Sequence, residues 1–405
     1  GSCTEMMTNI LIKAGYKVGK FISPHLIKYN ERISINNIEK DKYEEFVKNH
    51  PKSHFLQSYA WGEFAKLEKN LTPHYVGLVD DNENILACSL LLEKKLPLGF
   101  SYLYAPRGYV INFNDKDLLK LFTDEVKKYA KSKKAIFIKI DPDNIYNEQD
   151  INGNILVENN RTTIDNLINL GYKHLGFTKN FETMQPRYTF RIDLTQPLEE
   201  IEEHFSKTTK QRIAKSLKLE TEVTIGTKND LKEFYHLMTL TENRKDFISY
   251  NEDYYETLYE IFNGNENSKA TLFLGKVHIN KTIKSLEKSL KRINDQISIL
   301  PIDNLSKSAK TKLTELTKQK ENINKEIEKY KNYRHEYGTD LTLSAHMIIE
   351  YGDKAWVLYA GNHNILSETY VNYNTYYEHI RYCKAKGIKI YDQFGTIGDI
   401  DENNP

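Results

Sequence analysis

The sequence predicts an α+β protein of two units, the second carrying an inserted antiparallel coiled-coil hairpin. Three observations predict it. The chain has 405 residues, which favours two or more domains over one. Strand-like alternation and helix-like periodicity succeed one another from about residue 40 to 275. Between residues 279 and 334 the apolar positions step by four and three, as in a helical seam.

In chain order, Lys40 to Asn49 reads as an amphipathic helix. A strand-like entry then leads into a second helix bearing Trp61 and Phe64. His74 to Asp80 and Ile85 to Leu92 alternate as strands, and Ser101 to Val110 and Ala135 to Ile140 add two more. The helix Asp115 to Lys131 lies between those last two. A second unit begins near Gln185, with a strand at Tyr188 to Leu194. A basic helix from Leu198 to Lys218 follows. Two more helices, Asp230 to Arg244 and Asp253 to Phe262, precede a strand at Ala270 to Leu274.

Ile279, Ile283, Leu286, Leu290, Ile293, Ile297 and Leu300 then form one seam. Pro301 and Asn304 interrupt it, and Leu313, Leu316, Ile323, Ile327 and Tyr330 resume it. A seam broken once predicts a hairpin of two arms, each roughly 30 Å long. Strands return at Leu341 to Glu350 and Lys354 to Ala360. A helix at Thr369 to Lys386 and a strand at Ile388 to Asp392 close the second unit.

Composition narrows the function. Lys+Arg is 57 against 56 Asp+Glu, a formal net charge of +1. A nucleic-acid site must therefore be a local basic patch. Three scattered cysteines give no disulfide framework or CxxC pair and fit a reducing, cytoplasmic setting. No run of 18 apolar residues predicts a membrane span. No metal-binding histidine spacing occurs, and the scattered histidines (His54, His74, His204, His236, His346, His363 and His379 among them) are expected to be structural.

Residues 1–38 stand apart. Ser23-Pro24-His25-Leu26 and Asn30-Glu31-Arg32-Ile33 resemble a segment of folylpolyglutamate synthases, but of that family's phosphate-binding loop only Gly1-Ser2 matches. A phosphate loop needs glycine-rich backbone N–H groups and a lysine. The expectation is a non-functional fused segment, and a folate or Mur ligase is disfavoured.

From about residue 38 the chain resembles the Fem family (FemX, FemA and MurM-type proteins). The residues that carry this are Phe55-Leu56-Gln57-Ser58-Tyr59-Ala60-Trp61-Gly62, Tyr104-Ala105-Pro106-Arg107-Gly108, Ile140-Asp141-Pro142, Gln185-Pro186-Arg187, the basic helix from Ser206 to Lys215, Tyr359-Ala360-Gly361, and Asp392-Gln393-Phe394-Gly395. The resemblance implies two GNAT-like subdomains, 39–184 and 185–405, with the coiled-coil arm at 279–334. It implies transfer of Gly, Ala or Ser from aminoacyl-tRNA to a stem-peptide amine of a UDP-linked or lipid-linked muropeptide, building the interpeptide bridge. No cofactor, metal or ATP is implied, and the lipid-linked substrate implies contact with the inner membrane surface.

The resemblance places a pyrophosphate-binding Arg at Lys215, with Arg212 beside it. Lys207, Tyr359, Tyr373 and Lys66 are further substrate-binding candidates. The family's C-terminal lysine, expected to stabilise the tetrahedral intermediate, has no counterpart before Pro405. No catalytic residue is assigned on that account, and the expectation is an impaired chain whose first subdomain lacks its last strand. The arm's lysines are expected to meet tRNA or to be an ordinary solvated face. The alternatives are a non-catalytic tRNA- or muropeptide-binding fragment, a transferase of the leucyl/phenylalanyl-tRNA type, and a coenzyme A-dependent acyltransferase. The last needs a glycine-rich pyrophosphate loop that is not found.

Overall fold

A computed structural model describes residues 35–80, 82–150, 153–177, 185–245, 249–300 and 307–396. Most of the folate-ligase-like segment and the end of the chain lie outside these residues.

Two sheets dominate. Sheet 1 comprises β1 (Ile35–Asn37), β2 (Thr72–Val79), β3 (Ile85–Lys95), β4 (Ser101–Ala105) and β5 (Ala135–Ile140), in that spatial order. Helices α1 (Lys40–Asn49) and α2 (Tyr59–Lys69) precede β2, and α3 (Lys116–Ser132) joins β4 to β5. β1 was not expected as a strand. Ile35 pairs with Leu78, so the last residues of the segment set apart above belong to this sheet. The strand-like entry before Trp61 is instead a 3-10 turn, Phe55–Gln57, because the His54 ring accepts from Leu56 N–H and closes it. A two-strand ribbon, β6 (Glu148–Gln149) and β7 (Ile155–Val157), and helix α4 (Thr162–Asn169) follow sheet 1.

Sheet 2 has the order β8–β13–β12–β11–β10–β9. Its strands are β8 (Arg191–Asp193), β9 (Glu222–Ile225), β10 (Ser268–His278), β11 (Asp340–Tyr351), β12 (Lys354–Asn362) and β13 (Ile390–Asp392). The helix expected from Leu198 to Lys218 is two helices, α5 (Leu198–Glu203) and α6 (Lys207–Lys218). The break falls where the Ser206 hydroxyl caps Thr209 N–H and restarts the helix. Then come α7 (Leu231–Lys245), α8 (Glu252–Asn263), the arm helices α9 (Ile279–Ser298) and α10 (Lys307–Tyr337), and α11 (Val371–Ala385).

The two sheets share a connectivity. Each has three antiparallel strands, a helix, then a strand parallel to the third: β2-β3-β4-α3-β5 and β10-β11-β12-α11-β13. One continuous core lies between the sheets. It joins Tyr43, Phe55, Trp61 and Leu90 of the first half to Phe234, Leu258, Leu272, Met347 and Trp356 of the second. The outer face of sheet 1 packs under α3, and that of sheet 2 under α11. Burial on this scale is the main stabilising term.

The arm emerges from the end of β10 and returns into β11. Ile279, Ile283 and Leu286 meet Ile327 and Tyr330 at its base. Ile279 N–H donates to Thr339 O at 2.9 Å, and Arg334 donates to the Asn280 side chain at 3.2 Å, so the helices run in opposite senses. His278 sits at this junction. One ring nitrogen meets Asp340 and the other Glu222, with Lys281 3.9 Å from Glu222. These two carboxylate bonds raise the imidazole pKa above its ordinary value, against a smaller lowering by burial and Lys281. Folding thus favours the imidazolium. Its stabilisation is complete below about pH 6.5 and fades as pH rises through the elevated folded value. Protection against hydrogen exchange at Ile279 and Leu341, taken relative to the intrinsic amide rate at each pH, is expected to fall across that rise, and His278→Gln to abolish this fall. Equal pH dependence in the variant would refute the role of His278.

Candidate functional site

Several sequence blocks singled out above interlock. Gln57 Oε1 accepts from Leu90 N–H at 2.8 Å, and its amide donates to Pro106 O at 2.7 Å. A Cβ on Gly108 would come within 3.0 Å of the Gln57 amide and of Ala105 Cβ, so that position takes glycine. Tyr104 donates to Asp141 at 2.7 Å, and Arg107 N–H donates to the other carboxylate oxygen at 2.7 Å. The Arg107 guanidinium reaches Pro186 O at 2.6 Å. Arg191 then bridges Asp143, after β5, at 2.6 Å and Asp392, in β13, at 2.7 Å. These blocks tie the halves together. Likewise, a Cβ on Gly361 would meet Leu237 C and Met238 N at 2.8 Å, so the glycine of Tyr359-Ala360-Gly361 lets α7 approach β12.

The anion-binding candidates converge at the start of α11. Ser206 and Lys207 begin α6, and Ile213 and Ser216 bury its inner face. That leaves Arg212 and Lys215 half-buried and directed at α11. The Arg212 guanidinium donates to the Tyr373 hydroxyl and lies 4.9 Å from that ring's centroid. It also lies 5.4 Å from the Tyr370 ring, over which Lys215 Nζ sits at 5.5 Å. Two cations thus share one aromatic platform, and among the described residues neither has a carboxylate partner. Cation–π contact satisfies them partly and leaves N–H donors for an anion.

Tyr370 was missed in the sequence. Its signal was the three-residue spacing to Tyr373, but its left-handed backbone (φ 52°) turns the ring toward α6, and that turn is not legible locally. Lys207 is exposed at the N-terminus of α6, outside this cluster.

One turn along α11 from Tyr373 is Tyr376, which lines a cavity of about 320 Å³. The cavity opens where β12 and β13 part, since their parallel pairing covers only Lys354–Trp356 against Ile390–Asp392. Val357, Leu358, Ala360, Gln393 and Phe394 also line it. Behind Tyr376 stand His346, 4.6 Å away, and His379, 5.5 Å away. Burial lowers the His346 pKa to about 4 and depresses that of His379 as well. Both rings are neutral at pH 7, in keeping with a structural role.

Tyr359 and Lys66 lie elsewhere. Tyr359 projects from the face of sheet 2 opposite α11, into the inter-sheet core. There its hydroxyl bonds Tyr254 at 2.9 Å within a cluster that includes Tyr250 and Tyr255. Burial, then the Tyr254 hydroxyl, holds its phenol well above the ordinary pKa, so it is a neutral donor. Lys66 is exposed on α2, 3.9 Å from Glu63. The structure therefore gathers Arg212, Lys215 and Tyr373 but not Tyr359, Lys66 or Lys207. Among the described residues, no group of three His, Cys, Asp or Glu side chains is placed to hold a metal. No helix there is long and apolar enough to cross a membrane.

The protein is thus a two-sheet α/β fold with paired cations on an aromatic shelf beside a cleft. The FemAB family model matches residues 38–404, and the chain belongs to that family. The lipid II:glycine glycyltransferase of Staphylococcus haemolyticus (strain JCSC1435) is 30% identical, over 91% of this chain and 85% of that protein. That of Staphylococcus aureus (strain USA300) is 27% identical, over 92% and 86%. Among solved structures, the crystal structure of FemX superposes with a TM-score of 0.73 at 25% identity, covering 92% of this chain and 90% of that one.

Proposed function

We propose that this chain is a transferase that builds the peptidoglycan interpeptide bridge. It takes an amino acid from aminoacyl-tRNA and joins it to a stem-peptide amine of a lipid-linked or UDP-linked muropeptide. Of glycine, alanine and serine, the relatives' activity favours glycine. The repeated strand–helix–strand order supports GNAT-like subdomains at 39–184 and 185–405. The acceptor reading places the work at the cytoplasmic membrane surface.

The observation that carries the proposal is the Arg212–Lys215 pair on Tyr370 and Tyr373. A muropeptide precursor carries a pyrophosphate, and two fixed, carboxylate-free cations suit it. The adjacent cavity offers room for the reacting groups. There a neutral amine attacks the ester carbonyl carbon. The C–N bond forms, the C–O bond to the ribose breaks, and the amine's proton goes to the departing hydroxyl. The ester is already activated, so no ATP is consumed.

Charge segregation supports the RNA donor. The arm helices carry 14 Lys and Arg against 7 Asp and Glu, and α6 carries 5 cations and no acid, in a chain of net +1. A basic coiled-coil arm suits the shape and phosphates of an RNA helix. Binding of tRNA is therefore expected to weaken steeply with salt. Replacing the exposed Lys284, Lys288 and Lys291 with Gln should flatten the log–log slope by about 2–3. An unchanged slope would remove the arm from the RNA site.

The function is tested by incubating the protein with tRNA charged with labelled glycine and with lipid-linked or UDP-linked muropeptide. Label is expected in the stem peptide. Binding of tRNA without transfer would mark a non-catalytic binder. Consumption of a coenzyme A thioester instead would overturn the reaction class.

A further inference from the structure

One end of sheet 1 has a chemistry that the transfer reaction does not use. The turn Leu96-Pro97-Leu98-Gly99-Phe100 joins β3 to β4 and is closed by Leu96 N–H donating to Phe100 O at 2.8 Å. Leu98 stands at its tip, 92% exposed, and Phe100 is 46% exposed. Leu98 also holds a left-handed backbone (φ 60°), which bulky residues rarely adopt. Leu98 and Phe100 together present an apolar tip to water at this turn.

Lysines ring this tip. Lys94 and Lys95 end β3. Because β4 and β5 start side by side, Ser101 N–H donates to Lys134 O at 3.1 Å and the Ser101 hydroxyl to Lys133 O at 2.9 Å. That brings the α3–β5 turn, with Lys131, Lys133 and Lys134, beside the apolar tip. Among the described residues none of these five lysines forms an ion pair. The nearest carboxylate along β3, Glu93, is buried and engaged by His74 at 2.7 Å. Apolar and cationic groups interleaved at one exposed end are what a charged bilayer surface binds. RNA would call for a groove or a stacking shelf, and the arm and α6 are the stronger basic surfaces for it.

We propose that this end of sheet 1 docks on an anionic lipid bilayer, with Leu98 and Phe100 entering the headgroup boundary and Lys94, Lys95, Lys131, Lys133 and Lys134 over the headgroups. The proposal deepens the lipid-linked acceptor reading and rests on it for its purpose, because the protein must come to its substrate at a membrane.

The test is flotation of the whole protein with vesicles of phosphatidylglycerol and phosphatidylcholine, and with phosphatidylcholine alone. The native protein is expected to float with the anionic vesicles and to be released by salt. Leu98→Ser with Phe100→Ser should weaken partitioning at least about tenfold. Lys94→Gln, Lys95→Gln and Lys134→Gln together should weaken it by about fivefold per lysine. Leu98, Lys95 and Lys134 are exposed whereas Phe100 and Lys94 are partly covered, so Leu98→Ser alone and Lys95→Gln with Lys134→Gln, whose unfolding curves should match the native one, serve as the stability-neutral controls. Transfer to a soluble UDP-linked acceptor should persist in the variants, while transfer to a vesicle-borne acceptor falls. A protein that floats as predicted yet transfers nothing would sink the transferase reading and leave the docking surface standing. Three results would overturn the docking proposal: no flotation of the native protein with anionic vesicles, equal flotation of both variants, or loss of tRNA binding in the variants with flotation unchanged.

Discussion

Arg212→Ala is expected to raise the KM for muropeptide by roughly 10–100-fold in the glycyl-transfer assay, corresponding to a charge-assisted contact of about 1.5–3 kcal/mol. The physical reason is the shelf on which Arg212 rests. Tyr370 and Tyr373 fix the guanidinium plane, and the Tyr373 hydroxyl takes one of its N–H groups. The remaining donors are pre-oriented, so less rotamer entropy is lost when a phosphate arrives. Arg212→Lys should fall in between, since it keeps the charge and loses the fork. Tyr373→Phe should cost only a few-fold, because it loosens the guanidinium without removing it. Arg212 is half-buried against Tyr370 and Tyr373, so the alanine variant should also lose a little stability to urea, and the KM comparison is made under conditions where both proteins are fully folded. An Arg212→Ala variant with native KM would show that the pyrophosphate is held elsewhere.

Arg191→Met is expected to destabilise the fold by about 3 kcal/mol, the cost of leaving buried carboxylates without their cation. Arg191 spans the two halves, with Asp143 on one side and Asp392, which is 2% exposed, on the other. Burial alone would push the Asp143 carboxyl up. The charge of Arg191, helped by His54 and Arg107, overrides it and holds the group well below the usual carboxylate range. A depressed carboxyl stabilises the fold fully above its unfolded pKa, near pH 4, and the stabilisation fades as pH falls from there toward and through the depressed folded value. The native protein should therefore lose stability in acid more steeply than Arg191→Met. Urea unfolding followed by the fluorescence of Trp61 and Trp356, both in the inter-sheet core, reads both effects. Equal stability and equal acid slopes would show that the bridge contributes nothing to joining the sheets.

Much of this architecture is legible in the residues. Lys40–Asn49 and Ala135–Ile140 have the bounds that their periodicity predicts. The longer strands and helices differ at their ends, where caps rather than hydrophobic pattern decide. Ser206 is such a case: its hydroxyl restarts a helix that the apolar pattern would run through. β1 and β9 were invisible because three- and four-residue edge strands carry too little alternation to register. The cations of the candidate site were legible as a charge run on one helix. Their aromatic shelf was not, since Arg212 and Tyr373 lie 161 residues apart.

By itself, then, the sequence determined the periodic elements, the basic character of α6 and the arm, and the ordered motifs that resemble the Fem family. These depend on spacing within a few turns of chain. Tertiary structure alone decided that Gln57, Asp141 and Arg191 join the motif blocks, that Tyr370 supports the cations, and that Tyr359 faces the opposite side of its sheet from them. Such partnerships depend on which sheet faces and chain ends meet after folding. No local pattern encodes that meeting, because the energy that selects it comes from burying one shared core between distant segments.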